Sequence, residues 1–120
     1  MSENDEQALL FEWAGHMTGR HPELALLYSV PNGGYRHIAT AVRLKQTGVR
    51  AGVPDIFLPV ARGGFHGCFV EMKKVTGGRV SIEQKIWLNA LAGQGYRAVV
   101  CKGWEAAKDE IMNYLEGGKQ

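Results

Sequence analysis

Arg50-Ala-Gly-Val-Pro-Asp-Ile-Phe-Leu-Pro-Val60 and, after a glycine-rich gap, Phe69-Val-Glu-Met-Lys73 are the segments on which the fold turns. Each reads as an apolar run of strand length. Ala61-Arg62-Gly63-Gly64 between them is a turn signal, so residues 55–60 and 65–74 are expected to pair as an antiparallel hairpin. Residues two apart on a strand share a face. Phe69, Glu71 and Lys73 therefore point one way, and Cys68, Val70 and Met72 the other. Asp55, at the start of the partner strand, brings a second carboxylate to the same end of the sheet. Two carboxylates suit a hard cation such as Mg²⁺, which takes few protein oxygens, keeps waters and bridges to phosphate. Alone, these residues also fit a Glu71–Lys73 surface ion pair with Asp55 as a strand-start cap.

Working outward, Gly52 permits close backbone approach and Pro54 presses Val53 toward an extended conformation. Upstream, residues 5–17 have helical spacing, with Leu9/Trp13 and Trp13/Met17 on one stripe and acids early. A first strand is expected near residues 26–30, ended by Pro31-Asn32-Gly33-Gly34. Tyr35 to Thr47 fits a helix, with Gly48 as its C-cap. Downstream, Ser81-Ile-Glu-Gln84 is a capping box that opens a helix running to about Ala92. A strand over residues 96–101 and a helix over 104–115 complete the chain. The order α-β-α-β-β-α-β-α predicts one α/β domain over residues 1–120, with a mixed central sheet of four strands flanked by helices. The helix between the last two strands favours a parallel pairing there.

With 120 residues, 45% apolar and 22% charged, the chain can bury a core without staples. Cys68 and Cys101 lie in apolar runs without paired spacing and read as buried thiols of a reducing compartment. The acidic, polar start shows no signal-peptide pattern, and no run approaches the ~20 apolar residues of a membrane span. A cytoplasmic location without membrane association is the expectation. The net charge of +2 hides an asymmetry. Residues 24–70 carry Arg36, Arg43, Lys45, Arg50 and Arg62 with Asp55 as the one acid. A basic middle around an isolated aspartate suits a phosphate-binding surface, although a solvated basic face gives the same pattern.

Pro54-Asp55 followed by Glu71-x-Lys73 resembles the PD-(D/E)xK nuclease superfamily, whose restriction-endonuclease-like core is αβββαβ. The flanking residues extend the likeness: Glu6-Gln7 in the first helix, Pro31-Asn32-Gly33-Gly34, Gly48 through Asp55, Glu71-Met72-Lys73 and Ser81-x-x-Gln84-x-x-Trp87. Together these are similar to the VRR-NUC family, the virus-type replication–repair nucleases, over residues 6 to about 104.

The resemblance implies a metal-dependent endodeoxyribonuclease that uses Mg²⁺, with Mn²⁺ able to substitute and no organic cofactor. Small stand-alone members resemble Holliday-junction resolvases and act as homodimers, so branched DNA and a second copy are the implied partners. By the same resemblance Asp55 and Glu71 are metal ligands, joined by the Met72 backbone carbonyl. Lys73 is the catalytic lysine and Gln84 an accessory residue. A first-helix glutamate adds a further acid; Glu6 is the choice, with Glu3 and Glu12 as alternatives. Tyr35, Arg36, Arg43, Lys45, Arg50 and Lys85 are candidate DNA contacts. A flap, single-strand or restriction-type nuclease on the same core, and a DNA-binding module without catalysis, are the alternatives.

Overall fold

The computed structural model describes residues 1–31 and 38–117. Tyr35, Arg36 and His37 lie outside the described residues. The elements are α1 (Glu3–Met17), a 3-10 helix (Pro22–Leu26), β1 (Tyr28–Ser29), α2 (Ile38–Gln46), β2 (Ile56–Leu58), β3 (Cys68–Lys73), α3 (Ile82–Gly93), β4 (Arg97–Lys102) and α4 (Trp104–Leu115). One mixed sheet runs in the order β1-β2-β3-β4. The pairs β1/β2 and β2/β3 are antiparallel, while β3/β4, joined by the α3 crossover, is parallel.

The β3 alternation divides the molecule as expected. Cys68, Val70 and Met72 face a core shared with Leu10 and Ala14 of α1 and Ala107, Ile111 and Tyr114 of α4. On the other face the Phe57 and Phe69 rings stack at 4.1 Å, with Tyr96 edge-on to both. Both cysteines are free thiols, each pushed up to about 12 chiefly by burial, which makes them poor nucleophiles. Among the described residues no helix is long and apolar enough to cross a membrane.

Several expected boundaries move. α1 begins at Glu3, not residue 5, because Ser2 and Asp5 form a capping box: Ser2 Oγ accepts from the Asp5 amide, and the Ser2 amide donates to the Asp5 carboxylate, both at 3.1 Å. Its buried stripe is Glu6, Leu10 and Ala14, while Trp13 and Met17 are only half-buried beside it. The small Ala14 allows close approach, whereas the indole of Trp13 fits only at the flank. The first strand, expected near residues 26–30, shrinks to two: Leu26 belongs to the 3-10 helix opened by Pro22, and β1 is Tyr28–Ser29. β2 is shorter than 55–60 because Pro54 and Pro59 bracket it and neither has an amide to donate. β3 begins at Cys68 rather than Phe65.

Candidate active site

The site lies where β2 and β3 part. Strand pairing aligns Ile56 with Val70 and Leu58 with Cys68. The next pair along would be Pro54 with Met72, and Pro54 has no N–H to give. The ladder therefore stops. The Asp55 carboxylate takes over the Met72 amide, accepting it at 2.8 Å. A residue's amide and carbonyl face the same neighbour in an antiparallel ladder. The Met72 carbonyl is thus turned to the Asp55 side.

Glu71 is 1% exposed. Its Oε2 accepts from Gln84 Nε2 at 2.9 Å and lies 3.7 Å from Lys73 Nζ. Among the described residues no donor reaches its Oε1, although that atom is buried. Burial, first, and then the neighbouring Asp55 charge and pairing with the Asp55 carboxyl push the Glu71 carboxyl up to about 8; Lys73 opposes the shift. Glu71 is thus a carboxyl short of positive charge at neutral pH. An orphaned carboxylate oxygen, a second carboxylate and a backbone carbonyl fit a hard divalent cation. Among the described residues no three His, Cys, Asp or Glu side chains form a ready cage. The remaining positions would fall to water and phosphate, as Mg²⁺ prefers.

Lys73 is 6% exposed, which is rare for a lysine. Its stem is covered by Gly78, where a Cβ would stand 3.1 Å from the Lys73 Cβ. The ammonium is held beside Glu71 rather than reaching into solvent.

Gln84 performs two tasks with one amide. Its Oε1 accepts from the Ser81 amide at 2.8 Å, closing the capping box of α3, while its Nε2 orients Glu71. Glutamate could close the box but could not donate to Glu71. The docking of α3 depends on Gly52. It has φ +93°, and a Cβ there would lie 2.6 Å from the Glu83 carbonyl carbon. Gly52→Ala is expected to lose about 2 kcal/mol or more of stability in denaturant unfolding, from the left-handed backbone plus the clash.

The first-helix acids separate. Glu6 is buried, and its Oε1 accepts from the Trp104 amide at 3.0 Å, capping α4. The adjoining Gly103 amide donates to the Lys73 carbonyl at 2.8 Å, so Glu6 braces the end of β3. The half-buried Glu3 adds negative charge that helps raise Glu71, and Glu12 is exposed. Glu6→Gln keeps an acceptor for Trp104 and should hold stability within about 0.5 kcal/mol, whereas Glu6→Ala should lose about 1–2 kcal/mol in thermal or denaturant melts. Loss of cleavage in Glu6→Gln at unchanged stability would instead assign Glu6 to the metal.

Of the candidate DNA contacts, Arg43, Lys45, Arg50 and Lys85 are exposed, and Lys45 and Arg50 line a cleft that reaches Gln84. Arg62 is committed to Glu23 at 2.6 Å. His66 is exposed with its ring against Tyr96. Sequence reading passed over Lys102. Parallel pairing sets it beside Lys73, on the same face, and it is exposed. Only the β3/β4 register brings the two lysines together; nothing in their spacing along the chain does.

A mixed four-stranded sheet with Asp55, Glu71 and Lys73 at the parting of two strands is the arrangement that the resemblance to PD-(D/E)xK nucleases implies. The sequence profile of the VRR-NUC domain matches residues 4–105. A solved structure titled a VRR_NUC domain protein superimposes with a TM-score of 0.78 at 26% identity, covering 97% of this chain and 89% of that one. Comparison with curated proteins gives no match. The chain belongs to the VRR-NUC family of nucleases.

Proposed function

We propose that this protein is a divalent-metal-dependent, structure-selective endodeoxyribonuclease that cuts four-way DNA junctions as a homodimer. The observation that carries the hydrolytic reading is Glu71: a buried carboxyl with an orphaned oxygen, set against a second carboxylate and a buried lysine. Such a group is a poor structural element and a good ligand.

A phosphodiester resists hydrolysis because its charge repels the nucleophile and grows in the transition state. Asp55, Glu71 and the Met72 carbonyl would hold Mg²⁺, which supplies positive charge to the phosphate and makes water a better nucleophile. A bound cation would favour the ionised form of the Glu71 carboxyl over the protonated one. Gln84 keeps its Oε2 in place through that exchange. Lys73 presents a compact ammonium, fixed by Gly78, to the nonbridging oxygens or to the attacking water. Lys102, in register beside it, would meet a neighbouring phosphate.

The junction and dimer readings rest on the family resemblance and on size. Paired cuts across a branch need two sites in fixed relation, and one 120-residue domain offers one. The test is a panel of end-labelled four-way junction, flap, splayed arm, linear duplex and single strand, run with light scattering on the same preparation. Paired symmetric nicks in the junction by a dimer are expected. Cleavage of flaps or single strands by a monomer would retain the site and replace the substrate. Binding without cleavage of any substrate would make the protein a DNA-binding module.

A further inference from the structure

A cleft of about 810 Å³ opens between the C-terminal half of α2, residues 49–53 and the first turn of α3, and Gln84 connects it to Glu71. Its lining is divided by chemistry. Ala41, Leu44, Val49 and Val53 give an apolar wall. Lys45 and Arg50 stand at the rim, exposed, with Arg50 Nη1 donating to the Lys45 carbonyl at 3.4 Å. The far side is α3, where Ser81 Oγ is taken by the Gln84 amide. The Ile82 and Glu83 amides, in the first turn, have no intrahelical acceptor. Gln84 belongs to both places: it lines the cleft and holds Glu71.

We propose that this cleft takes one nucleotide released from pairing next to the scissile phosphate, so that the enzyme favours DNA in which a base at or beside the cut is unpaired or readily unpaired. The inference rests on the nuclease reading for the position of that phosphate. The volume lies in the range of small-ligand sites. An apolar wall suits the face of a base, and two cations at the mouth suit its phosphate. Glu83 also lines the cleft, and its carboxylate turned inward would accept from a base edge carrying an amino group. A base inside a continuous duplex is held in the stack by its partner; a base in a flap or single-stranded end is already free, and one at a branch point costs less to release.

The test measures binding with Ca²⁺ in place of Mg²⁺. Wild type, Ala41→Phe (whose ring intrudes on the cleft from its apolar wall) and Lys45→Ala/Arg50→Ala meet a duplex with a three-nucleotide overhang and a blunt duplex. Wild type should favour the overhang by about tenfold, from one base buried against the aliphatic wall and its phosphate. Ala41→Phe should erase that preference with blunt-duplex affinity held within about twofold, and the double variant should weaken the overhang's salt dependence. In wild type, 2-aminopurine at the first unpaired position should change fluorescence on binding, while the same base inside the duplex should not. Equal affinity of wild type for both DNAs, or a preference that survives in a folded Ala41→Phe protein, would overturn the proposal. Wild-type cleavage with Mg²⁺ is scored separately: overhang preference without cleavage would remove the nuclease reading instead.

Discussion

Glu71→Gln is expected to leave the protein inactive yet more stable than wild type in metal-free buffer at pH 8. The Glu71 carboxyl is pushed up to about 8 from an ordinary 4.5, by burial first and then by Asp55. Between those values the folded state holds a proton that the unfolded state has released. Stability from this group is therefore full below about pH 4.5 and is lost as pH rises toward 8, with a slope of at most about 1.4 kcal/mol per pH unit. Glutamine mimics the protonated acid. It can accept from Gln84 Nε2 and donate to Asp55, and it has no charge to bury. Denaturant midpoints of the two proteins should coincide near pH 5 and separate toward pH 8, with the variant ahead by about 2 kcal/mol or more. Added Mg²⁺ should raise the wild-type midpoint and not that of the variant, since it binds the carboxylate. A variant less stable than wild type at pH 8 would mean that Glu71 is a satisfied structural group.

Lys73→Ala is expected to cut the cleavage rate about 10³-fold while DNA affinity with Ca²⁺ changes by no more than about threefold. Loss of one fixed transition-state donor costs on that order. The ammonium is buried and held beside Glu71, so it adds little to the sequence-independent attraction of DNA. Lys73→Arg should not restore the rate. Gly78 lies against the lysine stem, and a planar guanidinium does not fit a slot shaped for a linear chain. Affinity falling in step with rate would make Lys73 a binding residue.

The features legible in the sequence are local ones. The Ser81–Gln84 capping box, the α4 limits, the close approach at Gly52 and the alternation along β3 all follow from rules acting over a few residues. Asp55, Glu71 and Lys73 were legible because the hairpin that joins them is itself local. The remainder depends on contacts distant in sequence. Glu6 caps a helix 98 residues away, a pairing that spacing in the first helix does not show. Lys102 meets Lys73 only through the parallel register. The row Glu6, Leu10, Ala14 was overlooked because an acid interrupts its apolar pattern, and that acid is there to meet the Trp104 amide. The glycine-rich turn with Tyr35 and Arg36 lies outside the described residues.

The central claim is that Asp55, Glu71 and Lys73 form one hydrolytic site that works with a divalent cation. One gel tests it: end-labelled four-way junction with wild type in Mg²⁺, wild type in chelator, and Lys73→Ala in Mg²⁺. Nicks are expected in the first lane and intact junction in the other two. Nicks that persist in chelator, or in Lys73→Ala at the wild-type rate, would contradict it.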